Sequence, residues 1–369
     1  MYIWQQQNWP DLIWHSEVLQ PQIDTVHQLQ EKLLGKSEEL AKEVDQEVRM
    51  DTLIQNAIRT SQIEGEELNV ESVRSSVARR LGLIHAGMTD NSTPQTNALV
   101  GLLMDATRNY EKPLTQQRLC EWQAALFADG SGLLSNINVG MLRGNDPMQV
   151  VSGRIDRPTI HFEAPPRAKL EQDLERFLNW FNHPPSGVDV ILRAGITHLW
   201  FITLHPFDDG NGRVARAVTD MALAQAEGES IRFYSLSAAI MARRKEYYTQ
   251  LEMTQKGALD ITSWLEWFLQ VLEESIQLAF SRFNRVLVKS NFWKQHAQTV
   301  LSQRQMKVLN RLLDNAGEEF KEGISAAKYK GIAGVSKPTA TRDLTDLLVK
   351  GCLRKLPGGG RSTRYTINI

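Results

Sequence analysis

The sequence predicts a mainly α-helical protein with one β-hairpin near the middle of the chain and a small C-terminal domain of helices and two strands. Apolar residues recur at helical spacing over most of the 369 residues, as they do where helices bury one face. Two regions, 140–166 and 353–369, instead contain short β-prone runs punctuated by Gly and Pro. With 42% hydrophobic residues, the chain can build a full core, and its length suits two or three domains.

The first predicted domain comprises residues 1–93 and is mostly helical. Its opening, from Trp4 to His15, is rich in aromatic residues, and we expect it to pack as an anchor on the rest of the protein. Helical patterns follow over residues 21–64 and 70–83. A polar, turn-rich stretch at 87–94 then leads into the next domain.

The second predicted domain, residues 94–290, is a helical core that carries the hairpin. Its strands are expected within residues 150–162. His198 lies on the apolar helix that precedes residue 205, and we interpret it as a packed core histidine rather than a catalytic one. Helices are predicted at 96–110, 115–127, 169–182, 188–204, 211–227, 236–256 and 260–283.

Residues 205–216 combine several features of a site for a phosphate-bearing ligand. The turn Gly210–Gly212, with Asn211 at its centre, can adopt conformations in which several N–H groups point at one anion. The apolar spacing from residue 214 onward predicts a helix that begins just after this turn, and a helix N-terminus attracts anions. Arg213 and Arg216 lie about one helical turn apart, so two guanidinium groups would flank one polyphosphate.

Two further side chains in this stretch fit the same chemistry. Asp209 lies beside the turn, and Mg²⁺ prefers one or two carboxylates together with phosphate oxygens. His205 precedes the turn and can accept a proton near neutral pH. Each residue alone has an ordinary structural explanation, such as a buried histidine or a solvated arginine pair. Their combination in one long motif favours a functional site.

These residues resemble the signature of the Fic (Fic/Doc) family. Residues 205–216 match His-Pro-Phe-x-Asp/Glu-Gly-Asn-Gly-Arg-x-x-Arg at every fixed position. The resemblance implies a Fic-type helical core and transfer of AMP from ATP to a Ser, Thr or Tyr hydroxyl of a target protein. It further implies that His205 is the general base and that Asp209 binds Mg²⁺. The residues Gly210, Asn211 and Gly212 would form the anion hole.

The resemblance also assigns the two arginines and the donor. Arg213 would hold the inner phosphates and Arg216 the γ-phosphate, while Phe207 would point into the core and anchor the loop. A relative that transfers phosphate instead of AMP carries Lys at the position of Gly212, so this glycine favours AMP transfer. A relative that transfers phosphocholine also exists, and the motif excludes phosphocholine transfer less well.

A second resemblance lies far upstream, in residues 60–65. They fit the inhibitory pattern Ser/Thr-x-x-x-Glu-Gly/Asn of the family, and their position resembles the class with an N-terminal inhibitory helix. A carboxylate from Glu64 that reached Arg216 would occupy the guanidinium meant for the γ-phosphate. In some relatives this glutamate also supports removal of AMP, so the resemblance also allows an enzyme that both adds and removes AMP. The plain alternative is a helix C-terminus that Gly65 ends.

The predicted hairpin is a candidate docking site for the target protein. Family members carry a comparable hairpin before the motif, where a target chain can add as an extra strand. The alternative is an ordinary surface hairpin. The resemblance also allows a homodimer, since family members often pair.

The third predicted domain, residues 295–369, differs from the rest in charge. Residues 301–369 hold thirteen Lys and Arg against six Asp and Glu, a net charge of +7. Since the whole chain carries −1, residues 1–300 carry −8. A basic module on an acidic body suggests a polyanionic partner.

This region resembles a winged helix-turn-helix. Ser336 is expected to cap a helix that would enter a DNA major groove through Lys337, Thr339 and Arg342, with Arg361 on a wing against the backbone. The alternative is a module for protein contact or dimerisation. A second functional hypothesis follows, in which the chain is a nucleotide-responsive, DNA-binding transcriptional regulator that uses the Fic site as a sensor.

The remaining features exclude several classes of protein. No stretch approaches the apolar length of a membrane span, and the N-terminus lacks the pattern of a signal peptide. Cys120 and Cys352, the only cysteines, predict reduced thiols, no zinc site and a cytoplasmic location.

Overall fold

The structure is a computed structural model that describes residues 1–368 apart from 39–41, 84–89, 128–129, 131–136, 155–156, 229–232, 315–319, 321 and 358–362. The described residues form fourteen α-helices, a short 3₁₀ helix at Ile3–Gln5 and two antiparallel two-stranded sheets. The predicted fold class, mainly helical with a β-hairpin, is therefore confirmed. In the described part of the chain, no helix combines the length and apolar character that crossing a membrane requires.

The helices of the larger part of the chain are α1 (Ser16–Glu38), α2 (Lys42–Ile63), α3 (Val70–Leu81), α4 (Pro94–Arg108), α5 (Gln116–Leu126), α6 (Arg167–Asn182), α7 (Val190–Leu204), α8 (Asn211–Glu227), α9 (Leu236–Ala242), α10 (Arg244–Gln255) and α11 (Thr262–Gln295). Between α5 and α6 lie strands β1 (Gln149–Arg154) and β2 (Arg157–Glu163). The C-terminal elements are α12 (Gln303–Asp314), α13 (Ala326–Ala333), α14 (Lys337–Val349), β3 (Leu353–Lys355) and β4 (Tyr365–Ile367).

Packing divides the chain into two compact units. The first comprises Met1–Leu40 and Asp45–Ala279, and the second comprises Ala41–Val44 and Phe280–Ile369. Most of the predicted N-terminal region and of the predicted core lies in the first unit, while residues 41–44 and 280–290 belong to the second.

The centre of the first unit is the antiparallel pair α7 and α8. Every residue of α7 from Ile191 to Leu204 is buried, and α8 is buried from Val214 to Ala224. Each fully buried large apolar side chain contributes roughly 1.5–3 kcal/mol, so this pair is held firmly. Because the loop 205–210 joins the two helices, their packing fixes both ends of the predicted motif.

The aromatic N-terminus packs on the first unit, as predicted. The indole of Trp4 donates to the carbonyl of Glu163 at 2.7 Å, and the ring of Trp9 meets Trp200 edge to face at 6.2 Å. Backbone hydrogen bonds of Ile13 to residues 259 and 261 fix the segment that follows.

Three predicted helices differ in extent from those observed. The pattern over 21–64 corresponds to two helices, α1 and α2, and the junction includes residues outside the described part. The pattern over 236–256 is interrupted at Arg243, whose backbone (φ −115°, ψ 28°) leaves the helical region. Helix α11 continues past residue 283 to Gln295, because apolar spacing continues to Phe292, which is buried in the second unit.

The predicted hairpin is present as β1 and β2. Val150 pairs with Phe162 and Val151 with Ile160, so His161 is an extra residue that forms a β-bulge. Such a bulge re-aims side chains locally, and here Phe162 is buried whereas Ile160 is exposed. Residues 155–156, part of the predicted strand, lie outside the described residues.

The second unit contains three helices followed by the antiparallel pair β3 and β4, in the predicted order. Ser336 caps α14 by accepting from the N–H of Thr339 at 3.4 Å, as expected. A buried carboxylate, Asp343, accepts from Arg304 at 2.6 and 3.1 Å and from the Tyr329 hydroxyl at 3.0 Å. The winged helix-turn-helix assignment stays a prediction.

Candidate active site

His205 ends α7 in an unusual backbone conformation. Its φ of 49° and ψ of 58° are left-handed, which costs a residue other than glycine roughly 1–2 kcal/mol. Arg143, itself buried, holds this turn from the loop before the hairpin. Its Nε donates to the carbonyl of His205 at 2.9 Å, and its backbone N–H donates to the carbonyl of Pro206 at 3.0 Å.

The imidazole of His205 is arranged to accept a proton. Its Nδ1 lies 3.1 Å from the carbonyl oxygen of Ile202, and a carbonyl can only accept, so Nδ1 carries the hydrogen and Nε2 keeps its lone pair. Burial, together with the positive charge of Arg143, lowers the pKa of His205 to about 4, although Glu64 and Asp209 act in the opposite direction. The ring is therefore neutral at pH 7.

The loop after His205 is braced from inside the protein. Phe207 is fully buried, as expected. The side chain of Asn211 accepts from the N–H of Phe207 at 2.9 Å and donates to its carbonyl at 2.7 Å. Both polar atoms of the Asn211 side chain are thus engaged with the loop and shape the turn, and its place in the anion hole stays a prediction.

The turn leads directly into the N-terminus of α8. Gly210 has φ 88°, a left-handed conformation that favours glycine, and a Cβ there would also press on the end of the Leu126 side chain at 2.9 Å. The first N–H groups of a helix lack intrahelical acceptors, which makes those of α8 available to an anion. Asp209 lies at the edge of this turn with a side chain that is 55% exposed.

Both arginines of the motif are buried and paired with glutamates from the end of α2. The guanidinium of Arg216 is 1% exposed, and its Nη1 lies 2.8 Å from Oε1 of Glu64. Its Nε and Nη2 donate to the hydroxyl and carbonyl of Thr60 at 2.7 and 2.8 Å. Although burial alone would lower the pKa of Arg216, the carboxylate of Glu64 raises it above the ordinary value.

Arg213 has its own carboxylate partner, which the sequence did not predict. Its Nη1 donates to both oxygens of Glu66, at 2.7 and 2.9 Å. The side chain of Arg213 is 5% exposed, and its buried Nε has no hydrogen-bond partner among the described residues. The carboxylate of Asp209 lies 3.9 Å from Nη2.

Further side chains that sequence analysis missed hold the motif in place. Gln123, fully buried on α5, accepts from the N–H of Gly140 at 2.5 Å and donates to the carbonyl of Asp209 at 3.3 Å. Asp208 accepts from the backbone and side chain of Asn138 at 2.9 and 2.8 Å. No local pattern marks these residues, because each pair joins distant parts of the chain.

The end of α2 is anchored to α10. Arg244 Nε and the Tyr248 hydroxyl both donate to the carbonyl of Ile63, at 2.6 and 3.1 Å. The Tyr248 hydroxyl also lies 3.5 Å from Oε2 of Glu64. These contacts hold the helix end that carries both glutamates.

A cleft of about 930 Å³ is lined by part of this site, and Arg213, Arg216 and Glu66 are not among its lining residues. Its walls include His205 and Asp209, Gly212 of α8, Glu64, and strand β1 of the hairpin. The hairpin is tied to α10, because Nδ1 of His161 lies 2.7 Å from Oε2 of Glu252. The cleft is large enough for a nucleotide-sized ligand.

His198 is a core residue, as predicted. It is fully buried, with Nδ1 2.9 Å from the Thr219 hydroxyl and Nε2 2.9 Å from that of Tyr247. Burial first, and the nearby Arg216 second, lower the pKa of His198 to about 3.

The residues predicted to contact DNA lie on α14 of the second unit, where Lys337 and Arg342 are exposed and Thr339 is half-buried. Arg361 lies outside the described residues.

Comparison with known protein families gives two matches. A model described as Fic/DOC family matches residues 113–223, and one described as Domain of unknown function (DUF4172) matches residues 2–83. The second match contains Glu64 and Glu66, and the first contains the whole 205–216 motif.

Three curated proteins illustrate the similarity. Protein adenylyltransferase fic-1 of Caenorhabditis elegans is 28% identical over 142 residues, which cover 37% of this chain and 26% of the relative. Probable protein adenylyltransferase aq_aa38 of Aquifex aeolicus is 27% identical over 104 residues, covering 28% and 30%. Protein adenylyltransferase Fic of Drosophila ananassae is 22% identical over 232 residues, covering 62% and 42%. The chain thus spans less than half the length of these relatives.

Solved structures share the fold. A Fic family protein from Desulfovibrio desulfuricans superposes with a TM-score of 0.52 at 17% identity, covering 94% of this chain and 96% of that one. Fic-1 (residues 134–508) from C. elegans superposes with a TM-score of 0.54 at 19% identity, covering 73% and 74%. Residues 113–223, with the complete motif at 205–216, therefore form a domain of the Fic/DOC family.

Proposed function

We propose that this protein is a protein adenylyltransferase that transfers AMP from ATP to a Ser, Thr or Tyr hydroxyl of a target protein. The observation that carries the proposal is the arrangement around one cleft. His205, neutral and with a free Nε2, lines this cleft together with Gly212 at the start of α8. Two buried arginines, Arg213 and Arg216, follow on the same helix. Relatives with the same domain are named protein adenylyltransferases, which supports the reaction class.

The geometry supports the following sequence of events. Nε2 of His205 takes the proton of the target hydroxyl, and the oxygen forms a bond to the α-phosphorus of ATP. The bond from that phosphorus to the α,β-bridging oxygen breaks, and pyrophosphate leaves. The N–H groups at the start of α8 stabilise the charge that develops on the phosphate oxygens. Arg213 and Arg216 bind the phosphates of the donor.

The residues present fit a role for Mg²⁺ bound together with ATP. Magnesium sites in nucleotide enzymes use one or two carboxylates and complete the coordination with phosphates and water. Asp209 offers one such carboxylate, which lines the cleft and is largely exposed. The described residues contain no cluster of three metal-binding side chains, and a site shared with a substrate does not need one. When bound, the ion would offset phosphate charge.

We further propose that Glu64 inhibits the transfer. In this structure its carboxylate occupies Arg216, so a triphosphate would have to displace it or bind in another position. Glu64 also lines the cleft with His205, where a carboxylate can orient a water molecule. Removal of AMP from a modified protein is therefore the second reaction to assay.

The hairpin is the proposed docking element for the target. Strand β1 pairs only with β2 among the described residues and forms one wall of the cleft. An extended segment of a target protein could pair along its free edge, which would bring a hydroxyl towards His205.

A labelling experiment with Glu64→Gly tests the reaction. The variant is incubated with Mg²⁺ and with ATP that carries radioactive phosphorus either at the α or at the γ position. Self-modification, or modification of proteins in a cell extract, should retain the α label only. Retention of the γ label would show phosphate transfer instead, and retention of neither label would contradict nucleotide transfer from ATP.

DNA binding by the second unit is a second candidate function. The specific observation is that Lys337, Thr341 and Arg342 are all exposed on α14, within a unit that has its own hydrophobic core. A mobility-shift titration with mixed-sequence duplex DNA should detect binding that Lys337→Ala/Arg342→Ala weakens. Lys307→Ala, which removes an exposed charge from α12, is the control. Equal binding by all variants would argue against this surface.

A further inference from the structure

We infer that Glu66 is a second inhibitory carboxylate, which blocks the inner-phosphate site by occupying Arg213. This inference rests on the proposed function and deepens it. Glu66 would lower nucleotide affinity at Arg213, whereas Glu64 acts at Arg216. The two glutamates would block two different phosphate sites.

The backbone at the end of α2 presents both glutamates from one rigid turn. The N–H of Gly65 donates to the carbonyl of Gln62, and the N–H of Glu66 donates to that of Ser61, both at 3.0 Å. With Gly65 at φ 87°, these two bonds form a Schellman motif. Gly65 therefore ends the helix, as the plain interpretation of the pattern expected. The same turn directs the side chains before and after it to the two arginines.

The spacing of the two glutamates along the chain suits the spacing of the two arginines on α8. Glu64 and Glu66 are two residues apart across the turn, and Arg213 and Arg216 are three apart on the first turns of α8. Each guanidinium receives one carboxylate, at 2.7 Å for Arg213 and 2.8 Å for Arg216. Two adjacent cations are thus neutralised by one segment.

Because Arg213 is buried, the contact with Glu66 matters for the energy of its guanidinium. A guanidinium that is 5% exposed is costly to leave without an anionic partner. In the structure Glu66 supplies the closest carboxylate, while Asp209 lies 3.9 Å away. A phosphate that takes this position must displace Glu66. Replacing Glu66 with a neutral side chain should therefore favour phosphate binding, even when Glu64 remains.

Nucleotides with different numbers of phosphates separate the two glutamates. We would measure the dissociation constants of ATP and ADP with Mg²⁺ by calorimetry for wild type, Glu66→Gln and Glu64→Gly. Glu67→Gln is the matched control, since it removes the same charge one residue further along from an exposed side chain. Circular dichroism checks that each variant is folded.

The two substitutions should change the affinities for ATP and ADP in different ways. Glu66→Gln should tighten both ATP and ADP by about fivefold or more relative to Glu67→Gln, because loss of one charge-assisted hydrogen-bonded pair is worth roughly this much. Glu64→Gly should tighten ATP more than ADP, because only ATP offers a γ-phosphate to Arg216. In an adenylylation assay, the double variant Glu64→Gly/Glu66→Gln should need less ATP than Glu64→Gly for half-maximal rate.

Two results would overturn the inference. One is equal affinity of Glu66→Gln and Glu67→Gln for both nucleotides. The other is weaker binding by Glu66→Gln, which would mean that Glu66 positions Arg213 for phosphate. Binding is measured without turnover, so this test does not depend on catalysis. If no variant adenylylates any protein, the proposed function fails while the binding result still decides the role of Glu66.

Discussion

Nδ1 of His205 lies 3.1 Å from the carbonyl oxygen of Ile202, one turn earlier on the same helix. This contact fixes the hydrogen on Nδ1 and leaves the other ring nitrogen, Nε2, as the proton acceptor. The left-handed backbone of His205 then turns the chain towards α8. The base and the phosphate-binding turn are consequently positioned by the same pair of buried helices.

The pH dependence of the transfer should follow the depressed pKa of His205. The base is active only when neutral, so activity falls as the pH drops through its pKa, which is about 4 rather than 6.5. Since kcat/KM reports the free enzyme, its acid limb should have its midpoint below pH 5. Glu64→Gly is suitable for the measurement because removing a carboxylate cannot raise this pKa. A midpoint near 6.5 in protein that remains folded would contradict the environment described here.

A methyl group at Gly212 should cost more stability in the wild type than in Glu64→Gly. A Cβ there would collide with the carboxylate of Glu64, which would have to leave Arg216. We expect Gly212→Ala to lower the free energy of unfolding by about 1–3 kcal/mol in the wild type. In Glu64→Gly the same change should cost less, because the colliding carboxylate is gone and the remaining close contact of the Cβ is Nη1 of Arg216 at 3.2 Å. Urea unfolding of the four proteins measures this coupling, and equal effects in both backgrounds would refute it.

The hydroxyl of Thr60 gives the first residue of the 60–65 pattern a structural role. Its hydroxyl accepts from Nε of Arg216 at 2.7 Å, and both groups are buried. Thr60→Val keeps the shape but leaves that N–H without a partner, so we expect a loss of about 1–3 kcal/mol in unfolding free energy. Thr60→Ser retains the hydroxyl and should cost much less. If the two variants were equally stable, the hydrogen bond would not contribute.

The contact between Glu252 and the bulged His161 should restrain the hairpin. We expect Glu252→Gln to speed hydrogen exchange of the β1 and β2 amides about two- to fivefold, as suits the weakening of one partly exposed hydrogen bond. Glu266→Gln, on α11, is a matched control for the loss of charge. Unchanged exchange in the hairpin would show that other contacts hold it against α10.

The parts of the site that lie close together in sequence could be predicted, and those assembled from afar could not. Residues 205–216 were recognisable because a turn, a helix start and two arginines fall within one continuous stretch. The partner of Arg216 was predicted only because residues 60–65 resemble a known inhibitory pattern. Nothing local distinguished Glu66 from its neighbour Glu67, and only the turn at Gly65 directs one of them to Arg213.

The fold was likewise predictable where its sequence signals are local. The apolar spacing of α7 and α8 predicted both helices, because each must bury a broad face. The break at Arg243 was missed, since the residues on both sides favour a helix and only the backbone angles reveal the interruption. Gln123 and Asn138 were missed because a single polar residue in a helix or loop carries no signal of a partner far along the chain. The side-chain bonds of Asn211 to Phe207 were missed because they depend on how the loop folds back on itself.

Intact-mass analysis distinguishes whether His205 catalyses AMP transfer and whether Glu64 restrains it. Wild type, Glu64→Gly and His205→Ala/Glu64→Gly are incubated with ATP and Mg²⁺ under identical conditions. We expect an added adenylyl group on Glu64→Gly, little on wild type and none on the double variant. An adenylyl group on the double variant would contradict the role of His205, and equal modification of wild type and Glu64→Gly would contradict inhibition by Glu64.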